Sequence, residues 1–502
     1  MSHYLKTNLA TSLVAIVAGA LAPLALAPIN LWPLALLSVV LFWFSLNQSK
    51  HTKQAIYTGL AYGLGYFGVG VSWVFVSMVD HGNTHWLLAT VLTFLFCGGL
   101  ALFYALFAGL FYRFKPHHQY PTLLFIGLWI SLDLLRGWLL TGFPWLYLGY
   151  AGLGTYIESY APILGVHGVT LLLLASALLA FGSQVKLLLR LALLTGLWFA
   201  GIGLGAISWT QPSPQSPIKV TLLQADVSLE KKWSPQTLAP TLKYYFKQSY
   251  LHLESDLIIW PETAIATYWD NIAPAFEPLK ALAKEQNTQI ISGTVIRKNA
   301  VTEANYYNGL VAFGAENGEY YKQRLVPFGE YIPLESWLRG TIDFFNLPMS
   351  AFKLPLHKQG LLTQNIAIAG NICYEIAYPQ LVAQQAAQAQ MIVTVSNDTW
   401  FERSLAPWQH LQMAQMRAIE NGKPVARATN SGVSALINAA GEVTHTVPLY
   451  QQAQLTGEVT LMEGTTPYNT GLNWPVLLLS IGLILCGLRS NLIRVFPVWF
   501  KT

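Results

Sequence analysis

Three residues carry the chemistry this sequence offers: Glu262 in "IIWPE", Lys322 in "YYKQRLVPFGEYIP" and Cys373 in "NIAIAGNICYE". Glu262 and Cys373 close short apolar runs and Lys322 follows a hairpin signal, so all three fall where loops at strand ends can converge. A free thiol has a pKa of about 8.5 and needs a neighbouring base or cation to become a nucleophile near neutral pH. A carboxylate supplies the base, and an ammonium steadies the negative charge that develops during attack. Taken singly, each residue also has a plainer reading, as a strand-end turn carboxylate, a solvated hairpin lysine and a buried inert thiol.

The elements that must position these residues are short. "IKVTLLQ" (218–224), "DLIIWPE" (256–262), "TQIISGTVI" (288–296), "NIAIAGNIC" (365–373) and "MIVTVSN" (391–397) read as strands. "APAFEPLKALAKEQN" and "YPQLVAQQAAQAQ" read as helices between them. Asn317-Gly318 and Ala440-Gly441 are hairpin turn signals. The sum is an α/β sandwich of roughly 250 residues, entered through a linker, "QPSPQSP" (211–217), that ends the preceding helix.

The rest of the chain has a different composition. Only 11% of the 502 residues are charged and the mean hydropathy is +0.40, which sets the chain apart from soluble globular proteins. Seven apolar stretches of about 20 residues, the length that crosses a bilayer, crowd into the first 208 positions, and an eighth closes the chain. They centre on 9–27, 31–46, 55–78, 86–112, 123–140, 165–182, 187–208 and 472–488. The expected domains are therefore a seven-helix membrane region at 1–210, a catalytic domain at 217–465 and an eighth helix at 470–490. Lys6, Lys50, Lys53, Arg113, Lys115, Lys186 and Arg190 fall at alternate loops, which places both termini in the cytoplasm and the catalytic domain outside it. A cleaved signal peptide at the N-terminus would break that agreement. The net charge of +5 is largely this inside bias and is no sign of nucleic-acid binding. Cys97 and Cys486 lie inside expected spans, and three cysteines are too few for a disulfide framework.

Ordered motifs carry a resemblance. "GFPWLYLGY" (142–150), "WPETA" (260–264), "KQRLVPFGEYIP" (322–333), "CYE" (373–375), "SNDTWF" (396–401) and "PWQHLQMAQMRAIENGKPVARATNSG" (407–432) occur in this order on this membrane topology. The soluble part resembles the nitrilase superfamily, and nearly the whole chain is similar to the apolipoprotein N-acyltransferase family. The resemblance implies an α-β-β-α sandwich on an eight-helix anchor in the bacterial inner membrane, facing the periplasm. It implies a two-step transfer through a thioester on Cys373, with Glu262 as base and Lys322, with the backbone N–H of Tyr374, stabilising the oxyanion. The implied donor is the sn-1 chain of a phospholipid, commonly phosphatidylethanolamine, and the acceptor is the α-amino group of a diacylglyceryl-cysteine at an apolipoprotein N-terminus. Neither metal nor cofactor is implied, and a monomer is expected.

Trp233, Glu330, Tyr374 and Glu375 match further positions the family needs: Glu330 to orient Lys322 or share the base role, Glu375 to hold the loop after the nucleophile, Trp233 to pack beside an acyl chain. His410 reads as a structural helix residue, since no partner at metal-ligand spacing accompanies it. The apolar stretch 334–355, with Trp337, Phe344, Phe345, Leu347, Met349 and Phe352, is expected to form a lid over the acyl chain or to fill a satellite core. Asp133 and Arg136 are expected to pair one helical turn apart. "GFPWLYLGY" is expected to form a re-entrant or interfacial segment under the soluble domain, with Trp145, Tyr147 and Tyr150 at headgroup depth. Two other functions stay open on sequence grounds: a membrane-tethered amidase that uses water as second nucleophile, and a catalytically silent receptor or scaffold.

Overall fold

A computed structural model describes residues 2–115, 120–182, 185–299, 304–327, 329–331 and 352–495. The chain divides into two compact units, one of residues 1–75, 85–208 and 471–502, the other of 76–84 and 209–470.

The first unit is helical. Among the described residues, three helices are long and apolar enough to cross a membrane: Trp86–Phe114, Tyr156–Phe181 and Leu187–Gly205. A fourth is added if Thr52–Gly70 and Val74–His81, bent by 59°, make one broken span. The expected third span, 55–78, is thus not one straight helix. Ala10–Ala25, Pro33–Asn47 and Trp474–Leu488 are shorter apolar helices, so eight full-length spans are not what length and composition alone deliver. Arg190, expected in a loop, sits in the first turn of the helix that begins at Leu187. Its guanidinium donates to the carbonyls of Leu179 (2.6 Å) and Ala180 in the last turn of the preceding helix.

Helices here approach through small residues. A Cβ on Gly59 would lie 2.2 Å from the carbonyl oxygen of Tyr104, so only glycine lets helix Thr52–Gly70 meet helix Trp86–Phe114 at that depth. Asp133 and Arg136 pair at 3.0 Å, as their spacing predicts. The segment 142–150 packs its aromatic side chains against protein. Trp145, Tyr147 and Tyr150 are no more than 2% exposed, because Arg136 donates to the carbonyls of Phe143 (2.8 Å) and Trp145 (2.6 Å) and draws the segment into the protein.

The second unit has four layers. One sheet runs, in spatial order, Ala453–Val459, Ile218–Gln224, Leu257–Ile259, Gln289–Asn299, Ala304–Gly314, Gly318–Tyr321, with Ile265–Tyr268 added along Gln289–Asn299. The other runs Val443–Thr446, Ala435–Ile437, Val425–Thr429, Met391–Ser396, Ile368–Ile372. Period-two alternation assigns the faces. Val220, Leu222, Leu257, Ile259, Ile291, Leu310 and Ala312 meet Ile368, Ile372, Val393, Val395, Ala426 and Ala428 between the sheets. The intervening Leu223, Ile258, Ile290, Val311 and Phe313 face outward and pack with Tyr245, Phe276 and Leu279 from helices. Ala369, Ile392 and Val425 do the same on the other side, under helices Pro379–Ala386 and Ala406–Asn421. Both hairpins form. The linker 211–217 already belongs to the domain: Gln211–Pro212 pairs with Met462–Glu463, and the Ser213 N–H donates to the Leu461 carbonyl, which sews its start to the end of the domain.

Candidate active site

Parallel pairing aligns the carboxyl ends of the strands. Ile218–Gln224, Leu257–Ile259 and Gln289–Asn299 run together in one sheet, as do Ile368–Ile372, Met391–Ser396 and Val425–Thr429 in the other. Such ends are where α/β sheets present ligand-binding groups. Glu262 lies three residues beyond Ile259, and Lys322 and Cys373 directly follow Tyr321 and Ile372.

These side chains converge. The ammonium of Lys322, 1% exposed, lies 2.9 Å from Glu330 Oε1 and 3.3 Å from Glu262 Oε1. Asn308 donates to both carboxylates at 2.8 Å. The second oxygen of Glu262 accepts from the Asn397 backbone N–H at 2.9 Å, and that of Glu330 from the Val326 N–H at 2.8 Å. Lys232, also buried, donates at 2.9 Å to the Glu262 carbonyl oxygen. Two carboxylates and two ammonium groups thus share one buried cluster. Such a cluster is costly to assemble and costlier to break, because losing one partner strands a buried charge at about 3–5 kcal/mol.

The charges set the protonation states. Burial alone would push the Glu262 carboxyl up, but Lys322, the Asn308 hydrogen bond and Lys232 hold it below the ordinary carboxylate value. Burial lowers Lys322, yet Glu330, Glu262 and Cys373 outweigh it and keep the ammonium charged far into the alkaline range. Burial brings Lys232 down to about 8. Cys373 feels burial first and then the negative charge of Glu262, which together put its thiol well above the usual cysteine value despite Lys322. At rest the site therefore holds a thiol, a carboxylate and an ammonium.

Cys373 adopts φ +51°, a left-handed backbone rare for a side-chain-bearing residue, at the turn from strand Ile368–Ile372 into the 3₁₀ helix Cys373–Ala377. Glu375 secures that turn: its carboxylate accepts from the Ile372 N–H (2.7 Å), the Gln323 N–H (2.5 Å) and the Tyr320 hydroxyl (3.0 Å). It thereby ties the loop after Cys373 to the segment bearing Lys322. Burial raises Glu375 to about 7. Tyr374 is buried with its ring 5.1 Å from that of Tyr378. Trp233 is 39% exposed, beyond the short helix Leu229–Lys232. Of the expected lid, residues 334–351 lie outside the described residues. Phe352 is buried with Val295 and Leu325, the satellite-core alternative.

Sequence reasoning did not single out Lys232, Asn308 and Asn397, and it gave His410 only a structural role. Asn308 leaves one legible trace, a polar residue on the alternation that puts Leu310 and Ala312 inside. Lys232 leaves none, standing among charged neighbours in "LEKKWSP".

Residues 18–179 match the family model described as the apolipoprotein N-acyltransferase N-terminal domain, and residues 219–465 match the carbon-nitrogen hydrolase model. A protein named apolipoprotein N-acyltransferase from Pseudomonas aeruginosa is 42% identical over 493 residues, covering 96% of each chain. One so named from Azotobacter vinelandii is 41% identical over 485 residues, covering 94% of each. Among solved structures, a carbon-nitrogen hydrolase from Helicobacter pylori is 16% identical with a TM-score of 0.36, covering 57% of this chain and 99% of that one.

Proposed function

This chain belongs to the apolipoprotein N-acyltransferase family, and from that premise we propose how its own residues carry out the transfer. It is an acyltransferase of the nitrilase superfamily that N-acylates apolipoproteins during lipoprotein maturation. Cys373 is the nucleophile, Glu262 the base and Lys322 the oxyanion cation. The observation that carries this is the convergence at parallel strand ends of the buried Glu262–Lys322 pair with the turn that bears Cys373.

In the first half-reaction the Cys373 sulfur attacks the sn-1 ester carbonyl of a phospholipid, phosphatidylethanolamine in the simplest case, while its proton passes to Glu262. Lys322 and the Tyr374 N–H face the oxyanion. Collapse breaks the glycerol C–O bond, Glu262 returns the proton to the departing oxygen, and a lysophospholipid leaves the acyl thioester behind. In the second, the neutral α-amino group of a diacylglyceryl-cysteine attacks the thioester, gives its proton to Glu262, and the sulfur leaves and recovers that proton. A thioester is more reactive toward an amine than an oxygen ester is, so one demanding transfer becomes two easier ones. No cofactor enters this scheme. Glu330 orients Lys322, Glu375 holds the turn, and Trp233 packs beside the acyl chain. The enzyme acts as a monomer in the bacterial inner membrane, with eight crossings, both termini in the cytoplasm and the catalytic domain (217–465) in the periplasm, between the helical region 1–210 and the last helix 470–490.

The test is the intact mass of the purified protein after incubation with phospholipid alone, beside a Cys373→Ser variant. A fatty-acyl increment removed by neutral hydroxylamine and missing from the variant is expected. A folded wild-type protein that gains no mass, or a variant that gains the same, overturns the thioester route.

A further inference from the structure

His410 lies behind the nucleophile in a role that helix packing alone does not require. It is fully buried on helix Ala406–Asn421, and its Nε2 sits 3.1 Å from the carbonyl oxygen of Cys373. A carbonyl oxygen only accepts, so Nε2 carries the proton. The other ring nitrogen lies 3.1 Å from Asp398 Oδ1 and 3.1 Å from Arg427 Nη2. Burial and Arg427 keep His410 below its ordinary pKa, and Arg427, with the Ser396 hydrogen bond, overcomes burial to hold Asp398 down at about 2. The ring is therefore neutral: Nε2–H donates to Cys373 and Nδ1 accepts from Arg427. Arg427 in turn binds Asp398, which also accepts from Ser396 at 2.9 Å. Each member is fixed by the strands that bear it, Met391–Ser396 leading into Asp398 and Val425–Thr429 holding Arg427.

The carbonyl that His410 grips belongs to a peptide with two ends. A trans peptide is planar, with C=O and N–H pointing in opposite directions. Fixing the Cys373 carbonyl therefore fixes the direction of the Tyr374 N–H on the opposite side, across a residue whose φ of +51° does not hold itself in place. We propose that His410, set by Asp398 and Arg427, is a positioning residue for oxyanion stabilisation, orienting the Cys373–Tyr374 peptide so that its N–H faces the charge that develops on the attacked carbonyl. The inference rests on the reading of Cys373 as nucleophile. His410 itself neither takes nor gives a proton during the reaction.

The experiment compares wild type with His410→Ala and His410→Gln, the glutamine keeping an N–H donor at comparable reach. Two reactions of Cys373 are followed by intact mass in the full-length protein: acylation by phospholipid, which passes through an oxyanion, and alkylation by iodoacetamide, which does not. For His410→Ala, acylation slows roughly 100-fold, the loss typical of one oxyanion donor. Its KM and the pH dependence of its rate stay as in wild type, alkylation holds within about twofold, and His410→Gln regains at least about tenfold. Alkylation falling in step with acylation would show a merely structural residue and overturn the inference. So would a wild-type acylation rate in His410→Ala, a pH profile that loses a limb, or a glutamine variant as slow as the alanine. Failure of the underlying reading shows elsewhere, in wild type that alkylates at Cys373 yet forms no thioester.

Discussion

On the proposed thioester route, the proton inventory around Cys373 constrains the attack. Its thiol is pushed up and its base is held down, so a preformed thiolate–carboxylic acid pair is the disfavoured arrangement. Proton transfer must accompany C–S bond formation, when Lys322 meets new negative charge. The sign for pH follows. A base with a lowered pKa is in its working form above that value, so the acid limb that Glu262 sets in acylation by phospholipid alone should lie below the ordinary carboxylate range, separate from any inflection near pH 7 that Glu375 adds through the turn. Lys322→Gln removes the main charge that keeps Glu262 ionised, so its acid limb should move up in pH as its rate falls. A pH–rate series on the half-reaction, run on wild type, Lys322→Gln and Glu375→Gln, checks both, and a limb centred above about pH 6 that persists in Glu375→Gln would unseat Glu262 as the base. Glu262, Lys322 and Cys373, which the structure brings together, stood out in the sequence because each follows a patterned run. Lys232 and His410 were not, since each acts through a partner 30 or 37 residues away and no local periodicity marks such a meeting.

Among elements, the strand Gln289–Asn299 contributes no functional side chain yet shapes the site through an absence. A Cβ on Gly293 would fall 2.5 Å from the Thr263 nitrogen, 2.6 Å from the Pro261 oxygen and 2.7 Å from the Glu262 Cα, all backbone with nowhere to retreat. Thr263 already stands at φ +45°, so the turn carrying Glu262 has little slack. Gly293→Ala should therefore displace the base, lowering kcat at least about tenfold with a stability loss of about 1–3 kcal/mol. The readout is acylation rate beside thermal unfolding, and unchanged kcat would mean the turn yields without moving the carboxylate. The strands themselves were readable because both faces are buried, each in a different layer, which makes them short, nearly continuous apolar runs. Gln211–Pro212 was not readable, since a proline-rich stretch looks the same whether it pairs with Met462–Glu463 or hangs free.

For the whole molecule, the sequence shows a membrane protein more directly than the helices show its crossings. Breaks account for this: Pro23 falls in the 3₁₀ turn after the first helix, Pro33 restarts the next, and the third span bends at 71–73. Helices that fall short of the usual length still cross a bilayer if neighbours cover their ends. Length alone is thus a poor judge here, and charge is the better guide. Among the short loops between the expected spans, every second one contains no lysine or arginine, a bias that dominates orientation when loops are short. The prediction is specific to position. In a background lacking the native cysteines, Lys53→Cys and Arg113→Cys should resist a membrane-impermeant maleimide in spheroplasts and react once the membrane is opened. Lys231→Cys and Lys284→Cys, exposed on the second unit, should react at once. Labelling of the first pair in sealed spheroplasts, with protection of the second, would invert the orientation and place Cys373 on the side of the membrane opposite the one the loop charges assign.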